Sequence, residues 1–60
     1  MEKLLLTAEE AADVLGVGRS TVYDLVRLGM LLSVKIGKSR RIPADACRAL
    51  VSRLAEEQSP

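Results

Sequence analysis

Apolar positions along the chain recur first at helical spacing, then in alternation, then at helical spacing again. Ala8, Ala11, Ala12 and Leu15 fall at i, i+3, i+4 and i+7, one face of a helix. Val22, Leu25 and Val26 repeat the pattern in a second segment. From Ser33 to Ile42 the period shortens: Val34, Ile36 and Ile42 alternate with charged residues, as in a half-buried strand pair. Cys47, Leu50, Val51 and Leu54 then return to helical spacing. The pattern predicts two helices, a two-stranded ribbon and a closing helix: a mainly α domain with a small β-hairpin.

Local chemistry marks where each element begins and ends. Thr7 and Glu10 have the spacing of a capping box, in which each side chain bonds the other's backbone N–H. Gly16 is placed to end the first helix in the left-handed conformation. Gly16-Val17-Gly18 is then a tight turn, and the two adjacent alanines leave a nearly smooth face for a second helix to cross at close range. That helix is expected over Arg19 to Leu28, with Gly29 stopping it, and Met30-Leu31-Leu32 as a mainly buried connection. Gly37-Lys38-Ser39 reads as the hairpin turn. Val34, Ile36 and Ile42 are expected to face inward, with Lys35, Lys38 and Arg41 outward. Arg40 shares the parity of Ile42, so its stem should pack inward while its head reaches solvent. Pro43 fits the first position of the last helix, with Asp45 in its first turn. Leu4 to Leu6 should form a brief extended segment laid along the core or added to a small sheet. Glu56 to Pro60 should fray, leaving 4–54 as the core of a single domain spanning 1–60.

The second helix carries the candidate chemistry. Ser20, Tyr23, Asp24 and Arg27 project opposite its apolar stripe, and Arg19 and Thr21 flank that side in the first turn. Hydroxyls and guanidinium groups beside free first-turn N–H groups suit phosphate oxygens and base edges. An ordinary helical hairpin with a wet outer face is the plainer alternative. The formal net charge of +1 hides a strong asymmetry. Residues 19–41 hold Arg19, Arg27, Lys35, Lys38, Arg40 and Arg41 against Asp24 alone, a local balance of +5. The remainder holds Lys3, Arg48 and Arg53 against seven acids, a balance of −4. Such a field favours one face for a polyanion. Lysines also protect exposed strand edges, but the ribbon's cations exceed that need.

Composition narrows the classes. Sixty residues make one small domain that buries about 60% of its unfolded surface. With no Trp or Phe, the core falls to Leu, Val, Ile and Ala. One cysteine forms no internal disulfide, and without histidine no metal cluster is expected. Cys47 reads as buried packing rather than a nucleophile. Arg48 and Arg53 lie off the apolar stripe and should solvate the last helix or pair with local acids. There is no glycine-rich phosphate loop and no acid–base inventory, so the chain reads as no enzyme, with no cofactor or small-molecule ligand. No signal peptide or membrane span is recognisable, so a cytoplasmic protein is expected, nucleoid-associated when bound to DNA.

Helix-turn-helix, basic hairpin and closing helix together make a winged helix-turn-helix. The segments LLTAEEAADVLGVGRSTVYDLVRLGML, VKIGKSRRI and PADACRALVSRL, spanning most of residues 4–54, resemble the excisionase family of small DNA-binding proteins, related to the MerR-type winged helix. The resemblance implies a recognition helix in the major groove, through Arg19, Ser20, Thr21, Tyr23 and Arg27. It also implies a wing at the minor groove or its flanking phosphates, through Lys35, Lys38, Arg40 and Arg41. Where many members of that family carry an aromatic residue, this chain has Arg40, exchanging a packing contact for a further cation. Double-stranded DNA is the implied partner, with an integrase or recombinase and cooperative self-association on DNA as further expectations. The implied role is architectural, promoting integrase-mediated excision. Two alternatives stand beside it: a transcriptional regulator using the same domain, and a protein-interaction module for an acidic partner.

Overall fold

The computed structural model describes residues 3–58. Met1, Glu2, Ser59 and Pro60, the last two within the tail expected to fray, lie outside them. The order is β1 (Leu5–Leu6), α1 (Ala8–Leu15), α2 (Arg19–Arg27), β2 (Val34–Ile36), β3 (Ser39–Pro43) and α3 (Ala44–Gln58). The strands form one antiparallel sheet in the order β1-β3-β2. This is the winged helix-turn-helix architecture, mainly α with a basic hairpin.

Local chemistry opens α1 and ends both helices of the pair. Thr7 Oγ1 accepts from the Glu10 N–H at 3.1 Å, and the Glu10 carboxylate accepts from the Thr7 N–H at 3.0 Å. Gly16 is left-handed at φ 71°, its N–H donating to the Asp13 carbonyl while Val17 N–H donates to that of Ala12. Gly29, at φ 78°, ends α2 the same way, with Gly29 N–H on Val26 and Met30 N–H on Leu25. These paired bonds satisfy carbonyls that a helix end leaves open.

The Lys3 ammonium also donates to Glu10, and with the Thr7 amide it holds the Glu10 carboxyl down at about 2, against an ordinary 4.5. The folded value lies below the unfolded one. Stabilisation from Glu10 is therefore complete above pH 4.5 and is lost as pH falls through about 2. Urea unfolding across that window should show a decline in stability that is reduced in Glu10→Gln. An unchanged decline would place the acid sensitivity elsewhere.

The core draws on nearly every element: Leu6 from β1, Ala11 and Ala12 from α1, Val22 from α2, Leu31 from the connection, Ile42 from β3, Cys47 and Leu50 from α3. The alanines let α2 approach closely enough for Val22 to be fully buried. Leu5 and Leu6 pair with Pro43 and Ile42, so the leading segment joins the sheet, and Leu4 accepts from the Ala44 N–H at 2.8 Å. Burial raises the pKa of the Cys47 thiol, in keeping with its packing role.

Several expectations change. The hairpin turn has two residues, Gly37-Lys38, pairing Ile36 with Ser39, Lys35 with Arg40 and Val34 with Arg41. A three-residue turn would have put Val34 and Ile36 on the face of Ile42. One residue fewer places them on the opposite face, because side chains alternate along a strand. Ile42 alone reaches the core; Ile36 is exposed and Val34 half-buried. Arg40 is exposed rather than packed inward, and Arg41, expected outward, is half-buried. Pro43 closes β3 instead of opening α3, one residue short of the expected helical position. Leu32 is 63% exposed, so only Leu31 of the Met30–Leu32 connection is fully buried. Val51 is 53% exposed. α3 is about 22 Å long, and the small body covers only part of it, leaving Val51 beside Val14 in a shallow apolar groove between α1 and α3. α3 also continues through Glu56 and Glu57 to Gln58, past the point where fraying was expected. Arg48 pairs with Asp45 at 2.7 Å and Arg53 with Glu57 at 3.2 Å.

Candidate nucleic-acid interface

α2 starts without a side-chain cap. Gly18, extended at φ −76° and ψ 157°, offers only its carbonyl, which accepts from the Thr21 and Val22 N–H groups. The Arg19 and Ser20 amides ahead of them have no acceptor within the helix and point along its axis, where the helix dipole adds partial positive charge. α1, by contrast, closes its start with the capping box.

Beside this uncapped end lies a groove of about 380 Å³. One wall is the start of α1, with Thr7, Ala8 and Glu9; α2 contributes Arg19, Tyr23 and Val26; the far wall is Ser33 and Arg40 to Ile42 of the wing. The structure thus brings Arg19 and Tyr23 together with Arg40 and Arg41. They meet because Arg19, Tyr23 and Val26 share one flank of α2, while Ile42 anchors β3 in the core and carries its cationic neighbours to the same place. Ser20 and Arg27 are exposed on the outer face of α2, and Thr21 is exposed toward its other flank, away from the wing. Lys35 and Lys38 are exposed on β2 and the turn, outside the groove.

The cations fall into two groups. Arg19 donates to Glu9 at 2.6 Å, and Arg27 to Asp24 one turn back. The wing cations carry no carboxylate partner among the described residues. Arg40 donates to Ser33 Oγ at 3.0 Å, and Arg41 to the Arg40 carbonyl at 3.0 Å. These partners are weak competitors for a phosphate, so the wing offers its charge unneutralised. Exposed ion pairs such as Arg19–Glu9 contribute about 0–1 kcal/mol and exchange readily for another anion.

Glu9 and Ser33 were not apparent as site residues from sequence. Glu9 lies ten residues before Arg19, and only the crossing of α1 and α2 brings them into contact. Ser33 precedes the first strand of the wing and meets Arg40 only through the observed hairpin pairing.

A helix-turn-helix domain model matches residues 5–55. A probable excisionase from Saccharopolyspora erythraea is 49% identical over 57 residues, covering 95% of this chain and 58% of its own length. An excisionase from Streptomyces ambofaciens is 51% identical over 47 residues, covering 78% of this chain and 76% of its own. An uncharacterised protein of Mycobacterium bovis is 41% identical over 44 residues, 39% of its length. The chain therefore spans rather more than half of the first relative and less than half of the mycobacterial one. No solved structure gives a significant match. With its helix pair, basic hairpin and closing helix inside the matched residues, the chain belongs to the excisionase-type helix-turn-helix family.

Proposed function

We propose that the protein binds double-stranded DNA with α2 in the major groove and the wing on flanking phosphates. The observation carrying this reading is the groove in which Arg19 and Tyr23 of α2 meet Arg40 and Arg41 of the wing. Arg19 is the candidate for a bidentate contact to guanine, and Thr21 for the methyl of a thymine. Ser20 and Tyr23 hold phosphates; Arg27 adds a further cation on the same helix, with Asp24 orienting it. Lys35, Lys38, Arg40 and Arg41 supply affinity that depends on salt more than on sequence.

One module of this size reads only a few base pairs, so useful specificity comes from neighbouring copies or a partner protein. In the excisionase reading, copies bind side by side next to an integrase's attachment site and bias recombination toward excision. The relatives named excisionase support this reading. Its alternative, transcriptional regulation, uses the same helix-turn-helix on duplex DNA.

Arg19→Ala should weaken binding by about 1–3 kcal/mol and relax base preference at one position, as read by gel-shift titration on single-substitution duplexes. Equal affinity for heparin, random duplex and every candidate site would favour an acidic protein partner instead. Footprinting across an attachment site separates the first two roles: phased, repeated protection supports the excisionase, and a single protected promoter block the regulator.

A further inference from the structure

α1 opens with two adjacent acids in its first turn, Glu9 and Glu10. Glu10 serves the fold, closing the capping box and pairing with Lys3. Glu9, its side chain 74% exposed, lies on the groove instead and accepts from Arg19 Nη1 at 2.6 Å. The groove's other two arginines, Arg40 and Arg41, have no such partner among the described residues. A carboxylate has two effects on the arginine it faces. It fixes the plane of the guanidinium while leaving further N–H donors for a second acceptor. It also offsets the attraction of that arginine for a phosphate, and repels any phosphate brought close, whereas an uncharged base edge meets no such repulsion.

Building on the DNA-binding reading, we propose that Glu9 is a specificity-determining positioning residue, orienting Arg19 for a base edge and discouraging its use as a phosphate anchor. The pair contributes little to folding, so its effect falls on the choice between duplexes.

Two probes test this: a random-sequence duplex and the duplex preferred after selection from a randomised pool. Glu9→Gln should bind random duplex about three- to tenfold more tightly and steepen its log–log salt slope by about 0.9, one added phosphate contact. Affinity for the selected duplex should change by less than about twofold, so the ratio between the two falls. In an Arg19→Ala background, Glu9→Gln should shift both duplexes alike and leave the ratio between them unchanged, and Glu9→Asp should keep part of the ratio in the otherwise unaltered protein. Thermal melts check that each variant is folded. An equal gain on both duplexes, or a fall in their ratio that persists without Arg19, would reduce Glu9 to a distant negative charge and overturn the inference while DNA binding stands. Failure of the unaltered protein to bind either duplex would overturn both.

Discussion

Leu31→Ala should bring the domain to the edge of unfolding. Leu31 is 2% exposed and is the largest side chain among the fully buried residues, inserted where α2 hands the chain to β2. Truncating a buried leucine costs about 2–5 kcal/mol through lost transfer energy and the cavity left behind. At roughly 0.05–0.15 kcal/mol per residue, a chain of this length holds only about 3–9 kcal/mol in total. In a domain this small each kcal/mol shifts the midpoint by about 4–8 °C, so a thermal melt followed by circular dichroism should fall by at least about 10 °C. Leu32→Ala, one residue on and 63% exposed, should stay within about 0.5 kcal/mol of the parent. Equal melts for the two variants would mean that Leu31 does not anchor the core.

Neutralising the wing should cost the most binding. Lys35, Lys38, Arg40 and Arg41 replaced together by Gln keep much of their aliphatic stems and lose four cations. If each neutralises a phosphate, the log–log salt slope flattens by about 3.6. With parent and variant equal at about 1 M salt, that slope makes the affinity for every duplex at about 0.1 M drop by roughly several thousandfold, with little change in sequence preference. The contrast with Arg19→Ala is the diagnostic: one variant loses affinity uniformly, the other loses discrimination. A salt slope equal to the parent's in the fourfold variant would remove the wing from the interface.

What could be read from the sequence was the chemistry that acts over a few residues. The capping box of Thr7 and Glu10 and the glycine stops at Gly16 and Gly29 depend on neighbours within one helical turn, and all three are found. The ribbon's existence was legible from alternation, but its facing was not. That turned on whether Ser39 belonged to the turn or to the strand. Gly37 has φ 60°, and no residue other than glycine has positive φ among those described, which fits a two-residue loop with glycine first. Ser39 therefore pairs, and every side chain of β2 changes sides relative to Ile42. Periodicity likewise gave the apolar face of α3 but not how far the body extends beneath it, so Val51 was assigned to the core and lies in an open groove. For the candidate site, the residues of α2 and the wing came from composition and helical angle. Their meeting in one groove, and the placing of Glu9 against Arg19, depend on how distant elements cross.

The middle strand has a mechanical consequence. Its first three residues are laced to β2 and its last two to β1, Ile42 is sealed among the helices, and α3 follows without a linker. The base of the wing therefore has no hinge about which to swing. In the proposed binding mode, any misfit between the spacing of helix and wing and the contour of a relaxed duplex would be taken up by the duplex. On that proposal a stiff fork of this kind would act as a mould, and curvature imposed on a flexible polymer would be its natural output.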